Sequence, residues 1–301
     1  MKLFQVAALG IALGGGGAKG CAHIGVLRAL ESARVKIDVI TGTSAGAIIG
    51  ALYAAGKTPD EIETIARRLR LRDWMHRDES GLGMFSTAGI RRIVEKEIGK
   101  DARIENLPKR FAAIAVDLNS RGEVVIDSGL VADAVCASAA FPGLFAPVPR
   151  GDYLLIDGGA LNPVPFDVAR RLGAQVVVAI DLQADEPMFT ASPNAHRRDA
   201  WFFRLVMSAE QQKTFRVLAR AVGVMTRRLR EQKLRQAPPD LLLKPNVQGI
   251  GLMDFDLIDE CVAAGEAVAR AALPDIIALC APSLAGRWRR LRYRLKRETV
   301  L

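Results

Sequence analysis

Three scarcities narrow the field before any motif is read. No run in the 301-residue chain approaches the roughly 18 or more consecutive apolar residues needed to span a bilayer, so a soluble or peripheral protein is expected. Cys21, Cys136, Cys261 and Cys280 lie far apart with no Cys-x-x-Cys spacing. That pattern argues against a zinc site or a disulfide framework, predicts buried thiols and fits a reducing, cytoplasmic compartment. Histidine is scarcer: His23, His76 and His196 are the only imidazoles from which a base could be drawn. There is no internal repeat and no low-complexity block.

What is present suffices for a sizeable core. With 50% hydrophobic residues, the chain is expected to form one domain over residues 1–282, followed by a basic tail over 283–301. Of the formal net charge of +9, the tail carries +6, from Arg287, Arg289, Arg290, Arg292, Arg294, Lys296 and Arg297 against Glu298. Trp288, Leu291, Tyr293 and Leu295 are interleaved with these cations. The composition suits anionic lipid headgroups, nucleic-acid phosphates or a plain solvated helix end. Residues 1–9 have a weak likeness to a signal peptide. Cleavage near Ala8 would remove the strand that feeds the glycine loop behind it, so the stretch is read as the first core strand.

Two turns mark the N-terminal region. The apolar run 6–13 ends in Gly14-Gly15-Gly16-Gly17-Ala18-Lys19-Gly20, and helical spacing follows over 22–31, a recurrent anion-binding arrangement. Gly15-x-Gly17-x-x-Gly20 also matches a dinucleotide fingerprint, with Asp38 about 20 residues on where a ribose-binding acid would stand. Asp38, however, has apolar neighbours on both sides and is expected mid-strand rather than at a strand's C-terminal end. The second turn is Thr41-Gly42-Thr43-Ser44-Ala45-Gly46, between the apolar run 35–40 and a small-residue helix over 45–52. A strand bending sharply into a helix exposes the residue at the bend, with the helix N-terminus behind it, which is where a nucleophile belongs. Serine is equally a favoured helix N-cap, and the pattern alone leaves both readings of Ser44 open. Gly42 and Gly46 give the bend its room.

Further along, Thr58-Pro59-Asp60-Glu61 predicts a capping box opening a helix to about residue 71, then an irregular stretch over 74–85 holding His76, and a helix over 87–99. Residues 110–118 and 123–127 read as strands joined by the turn Asn119-Ser120-Arg121-Gly122, so the sheet should be mixed. A small-residue helix over 132–140 leads into a stiff apolar loop over 141–149. The strand 152–156 stops at Asp157-Gly158-Gly159, where the acid is either a turn former or a base. A short helix to 172, a buried strand over 174–181 and a polar loop over 183–199 carrying His196 come next. A helix pair packed on the sheet is expected over 200–235, with part of 200–236 a candidate for contact with a bilayer surface, then a strand over 241–244 and a helix over 258–273.

A triad in the order Ser44, Asp157, His196 would suit an α/β hydrolase, but only two strands precede Ser44, too few for that fold. The simpler arrangement is a dyad in which Asp157 takes the Ser44 proton directly. An Asp with an ordinary pKa of about 3.9 is a weak base at neutral pH, so burial would have to raise it. Backbone N–H groups of the glycine loop would stabilise an oxyanion, typically by about 3–4 kcal/mol per donor. Such chemistry needs no metal and no cofactor.

Taken together and in order, Gly15-x-Gly17-x-Lys19-Gly20, Gly42-Thr43-Ser44-Ala45-Gly46 and Asp157-Gly158-Gly159 resemble the signatures of the patatin-like phospholipases. Ala137-Ser138-Ala139-Ala140-Phe141-Pro142-Gly143 is similar to that family's segment before the Asp, and the likeness runs from about Val6 to Leu182, looser beyond. The resemblance implies a three-layer α/β/α sandwich with a mixed, mostly parallel central sheet. It also implies esterase or phospholipase-type hydrolysis of acyl lipid or phospholipid. Carried over, Ser44 is the nucleophile, Asp157 the base, and Gly15, Gly16, Gly17 and Ala18 the oxyanion hole, with Lys19, Gly20, Gly42, Gly46, Gly158 and Gly159 as supporting positions. Arg287, Trp288, Arg289, Arg290, Arg292 and Tyr293 are the expected contacts with an anionic membrane, and no nucleic-acid partner is expected. The competing readings are a dinucleotide- or phosphate-binding protein, a catalytically silent lipid-binding module of the same fold, and a hydrolase using His196.

Overall fold

A computed structural model describes residues 7–69, 71–74, 76–182, 208–251 and 254–281. β1 (Leu9–Leu13) runs into the glycine loop, which tightens into a 3-10 turn (Gly17–Cys21) and then α1 (Ala22–Ser32). β2 (Val39–Thr43) bends at once into α2 (Ala45–Ala54), followed by α3 (Pro59–Arg68), a short α4 (Leu71–Trp74), the small ladder of β3 (His76–Arg77) with β4 (Phe85–Ser86), and α5 (Ala88–Ile98). β5 (Arg110–Asp117), β6 (Gly122–Ile126), α6 (Val131–Ser138), β7 (Val148–Arg150), β8 (Tyr153–Asp157), α7 (Phe166–Arg171) and β9 (Val176–Ile180) come next. α8 (Ala209–Gln236), β10 (Leu241–Leu243) and α9 (Ile258–Cys280) complete the described elements.

The main sheet has the order β10-β9-β1-β2-β5-β8-β7, with β6 also paired to β5. Strands β10, β9, β1, β2 and β5 are parallel, whereas β6 and β8 run antiparallel to β5 and β7 antiparallel to β8. Alternation along the strands serves two cores. Leu9, Ile11 and Leu13 point into the larger one with Ile24 and Leu27 of α1, Leu52 of α2 and Cys261 of α9. Ala12, Ala112, Ile114 and Val177 point the other way, onto Phe166, Val168 and Ala169 of α7 and the part-buried Leu234 of α8. Helices thus cover both faces, and the expected three-layer α/β/α sandwich with a mixed, mostly parallel sheet is what the chain forms.

Two glycines allow α1 and α9 to touch backbone to backbone. A β-carbon at Gly25 would lie 1.9 Å from the Val262 carbonyl oxygen, and one at Gly265 would lie 1.9 Å from that of Ala22. This crossing clamps the helix that follows the glycine loop.

The edge of β5 decides the site. Residues Arg110 to Ile114 pair with β2, while Ala115 to Asp117 pair with β8. β6 overlaps both stretches and must occupy the opposite edge. β2 and β8 therefore meet end to end on one side of β5, with Thr43 opposite Ile114 and Asp157 opposite the next residue, Ala115. Ser44 and Asp157, 113 positions apart in sequence, are brought to one point by this register.

Several sequence expectations need correction. β2 starts only at Val39, so Asp38 precedes the strand instead of lying within it. Its carboxylate accepts from the Leu9 N–H at 3.0 Å and pairs with Lys36 at 2.7 Å. The loop expected over 141–149 contains β7, whose Pro149 is tolerated because β7 is a sheet edge. The expected helix pair over 200–235 is, over its described part, the single helix α8. The last helix does not stop at 273 but continues past Pro274 to Cys280. The helix opened by the Thr58 capping box forms as expected but ends at Arg68. All four cysteines are free and buried. Among the described residues no helix is long and apolar enough to cross a membrane. Residues 1–6, the 183–199 loop with His196 and the 283–301 tail lie outside the described residues.

Candidate active site

Ser44 follows β2 with φ 56° and ψ −123°, a left-handed conformation that costs a non-glycine residue on the order of 1–3 kcal/mol and is held only where the surroundings over-determine it. Three features do so here. The Ser44 N–H donates to the Ser138 Oγ of α6 at 3.0 Å, and the Ser44 carbonyl accepts from Ala47 and Ile48, opening α2. The bend is also too tight for side chains on either side: a β-carbon at Gly42 would lie 2.4 Å from the Gly46 carbonyl oxygen, and one at Gly46 would lie 2.2 Å from that of Leu13. Although Ser44 occupies the N-cap position, its side chain makes no capping hydrogen bond. The capping reading is therefore set aside, and the hydroxyl is left half-exposed at the head of a helix N-terminus.

Asp157 ends β8 and is buried, with 3% of its surface exposed. Its N–H donates to Ala140 at 2.9 Å, and its Oδ1 accepts from the Gly159 N–H at 2.7 Å. Burial pushes the carboxyl up to about 6, against the Ser44 hydroxyl and the Gly159 N–H, which both favour the ionised form. The hydroxyl is thus near enough to act on the carboxylate, yet Oδ2 completes no hydrogen bond of ordinary geometry. The turn after Asp157 is tied to β2 by the Thr43 hydroxyl, which donates to the Asn162 carbonyl at 2.9 Å, and by the Thr41 hydroxyl, which donates to that of Pro165 at 2.9 Å.

The glycine loop lies against the same point, where a β-carbon on Gly15 would come within 3.3 Å of the Ser44 Cβ. Its own backbone groups divide into engaged and open. Gly14 N–H donates to Ile180 and Gly15 N–H to Pro163, each at 3.0 Å. Gly16, Gly17 and Ala18 donate to no group among the described residues. Beneath the loop, the fully buried His23 meets the Gly14 carbonyl through Nε2 at 2.7 Å. A carbonyl only accepts, so Nε2 carries the proton; burial lowers the imidazole pKa to about 4 and keeps it neutral.

The remaining candidates fall elsewhere. Asp38 stands at the N-terminal end of the parallel strands, opposite the glycine loop, so the dinucleotide fingerprint lacks its ribose acid at the required place. His76 lies beside Arg92, at 3.2 Å, and His196 lies outside the described residues. Sequence reasoning gave no role to Ser138 or His23. Ser138 stood within the family-like segment 137–143, but its contact with Ser44 is made by the fold; His23 had a faint signal, a polar residue at the start of an otherwise apolar helix.

Beside the loop and the bend lies a small apolar cleft of about 60 Å³. Gly17, Gly20, Ala45 and Ile48 line it together with Trp74 and Phe255, stacked with ring centroids 5.9 Å apart.

A family model described as patatin-like phospholipase matches residues 11–170, which include every residue of the bend, the loop and the Asp157 turn. The chain belongs to the patatin-like phospholipase family. It is 37% identical over 188 residues to the patatin-like phospholipase domain-containing protein 7 of Rattus norvegicus, covering 58% of this chain and 14% of that protein. It is 32% identical over 283 residues to an uncharacterized NTE family protein of Mycobacterium tuberculosis, covering 89% of this chain and 47% of that one. The chain thus spans about half or less of the length of these curated relatives. Among solved structures, VipD from Legionella pneumophila superposes with a TM-score of 0.55 at 14% identity over 90% of this chain and 67% of that one, a likeness of fold. The patatin-like sheet and helices seen here agree with it.

Proposed function

We propose that this patatin-like chain is a serine acyl hydrolase acting on lipid esters of the phospholipid type, with Ser44 as nucleophile and Asp157 as its base. The observation that carries the reading is the meeting of β2 and β8 on one edge of β5, which sets a strained, uncapped serine beside a buried carboxylate raised to about 6. Asp157 accepts the hydroxyl proton as Oγ bonds to the acyl carbon, and the charge moves to the former carbonyl oxygen. The open N–H groups of Gly16, Gly17 and Ala18 are the proposed donors to that oxyanion; Gly15, engaged with Pro163, contributes by its closeness to Ser44 and not through its N–H. Collapse expels the alcohol, which takes the proton from Asp157. Water, deprotonated by Asp157 in turn, then releases the acid and restores Ser44.

Asp157 Oδ2 has no hydrogen-bond partner among the described residues, which suits a resting site whose catalytic hydrogen bond forms when substrate binds. The apolar lining beside Gly17 and Ala45 favours an acyl group at that point, and the cleft would have to open further to take a long chain. Lys19, Gly20, Gly42, Gly46, Gly158 and Gly159 act by shaping the loop and turns. The proposed contact of Arg287, Trp288, Arg289, Arg290, Arg292 and Tyr293 with anionic membrane stands on sequence alone. Fatty-acid release from phospholipid vesicles and hydrolysis of a soluble short-chain ester by wild type, Ser44→Ala and Asp157→Asn test the reading. Loss of both activities by roughly 1,000-fold or more in either variant is expected. A folded wild type that binds vesicles and cleaves no ester would instead favour the silent lipid-binding module.

A further inference from the structure

Helix α8 has its faces reversed relative to an ordinary surface helix. Val217, Leu218, Val224 and Met225 are 69%, 52%, 64% and 57% exposed, and with the exposed Ala221 they recur at helical spacing to form one apolar stripe facing outward. Roughly half a turn away, Thr226 and Arg230 are buried, and Leu234 packs against the smaller core. Polar bonds hold this inner face in place. Arg230 pairs with the buried Asp181 at 3.0 Å, and Lys233 reaches Glu123 at 3.3 Å and Asp167 at 3.4 Å. An apolar stripe whose opposite face is so anchored cannot turn inward, and among the described residues nothing covers it.

We propose that this stripe of α8 docks the protein on an anionic lipid surface, a step that presents bilayer lipid to the active site and so rests on the hydrolase reading. Charge selects this occupant. Residues 209–236 contain eight Lys and Arg against two Glu; with Arg230 and Lys233 turned inward, the outer side is still cationic, and Arg220, together with Arg227 and Arg228 that share the single Glu231, borders the stripe. Long cationic side chains beside exposed aliphatic ones are the makeup of a helix lying in a headgroup region, where the apolar side sinks and the cations meet phosphates. A second copy of the same helix would bring like charges together along the seam. Position agrees: α8 packs on the Gly158–Ala160 turn immediately after Asp157, and Asp181, its partner, precedes Leu182, whose Cβ would lie 3.1 Å from a β-carbon on Gly16. Docking through α8 therefore anchors the protein by a helix that touches the turn after Asp157, on the face of the sheet opposite the apolar cleft.

Co-sedimentation of the full chain with vesicles of phosphatidylcholine alone, or mixed with phosphatidylglycerol, tests the proposal. One variant carries Val217→Ser, Leu218→Ser, Val224→Ser and Met225→Ser, and a second carries Arg220→Glu. Preferential binding of wild type to the anionic vesicles is expected, weakening as salt rises from about 0.1 to about 0.5 M. Both variants should bind about tenfold or more weakly while keeping thermal stability and soluble-ester hydrolysis. Because binding is read separately from turnover, an inactive wild type that still docks through α8 would count against the hydrolase reading and not against the surface. Equal binding by wild type and the serine variant overturns the proposal. So does a wild type that is dimeric through the stripe, judged by sedimentation, and indifferent to vesicles.

Discussion

His23 and Gly14 form a buried hydrogen bond, Nε2 to carbonyl oxygen at 2.7 Å, directly below the glycine loop. The Gly14 carbonyl is thereby fixed at the start of the loop whose Gly16, Gly17 and Ala18 N–H groups donate to no group among the described residues. Burial lowers the His23 pKa to about 4, so the imidazole stays neutral at neutral pH, its Nε2 proton held by the Gly14 carbonyl. His23 is a positioning residue in this account.

Replacing it separates positioning from simple packing. His23→Ala should lower kcat about 10- to 100-fold with KM within about threefold, because the oxyanion donors act on the transition state more than on the bound ester. His23→Gln, whose amide can donate to the same carbonyl, should recover part of the loss. A raised KM at unchanged kcat would contradict the assignment.

In the proposed reaction Asp157 must be ionised to accept the Ser44 proton. With its carboxyl at about 6, kcat/KM for a soluble ester should fall tenfold per pH unit below that value and level off above it. A pH–rate profile measures this directly. An acidic limb near 4 would mean that the carboxylate is far better solvated than its burial implies.

The same burial makes a statement about stability. The folded-state pKa of Asp157 is raised above that of an exposed Asp, so the contribution of its protonated form is complete below about 4 and is lost as pH rises through about 6. A shift from 3.8 to about 6 corresponds to about 3 kcal/mol, forfeited by the wild type above pH 7. Asp157→Asn keeps the acceptor for the Gly159 N–H and removes the charge. Its Tm should exceed that of wild type at pH 8 and approach it at pH 4, in thermal melts followed by circular dichroism. A variant less stable at both pH values would contradict this.

The bend at Ser44 and the acid at Asp157 were legible because each is written in a few adjacent residues. Gly42 and Gly46 announce a turn with no space for β-carbons, and the two glycines after Asp157 mark a strand end. Their meeting was not legible, for it depends on β8 continuing along β5 where β2 stops, a register spread over residues 39–43, 110–117 and 155–157. The same distance hid Ser138, whose hydroxyl takes the Ser44 N–H across 94 positions. Local pattern misled at Asp38, where apolar neighbours suggested a strand interior although the strand starts one residue later. It misled again at α8, where an amphipathic stretch read as a sheet-packing pair presents much of its apolar surface outward.

The central claim is that Ser44 is an activated nucleophile supported by Asp157 and by no histidine base. Labelling of the purified chain with a fluorophosphonate probe, which forms a covalent bond only with an activated serine, tests it most directly. Wild type and His196→Ala should be labelled, and Ser44→Ala and Asp157→Asn should not. Labelling that survives Ser44→Ala, or disappears in His196→Ala, would contradict it.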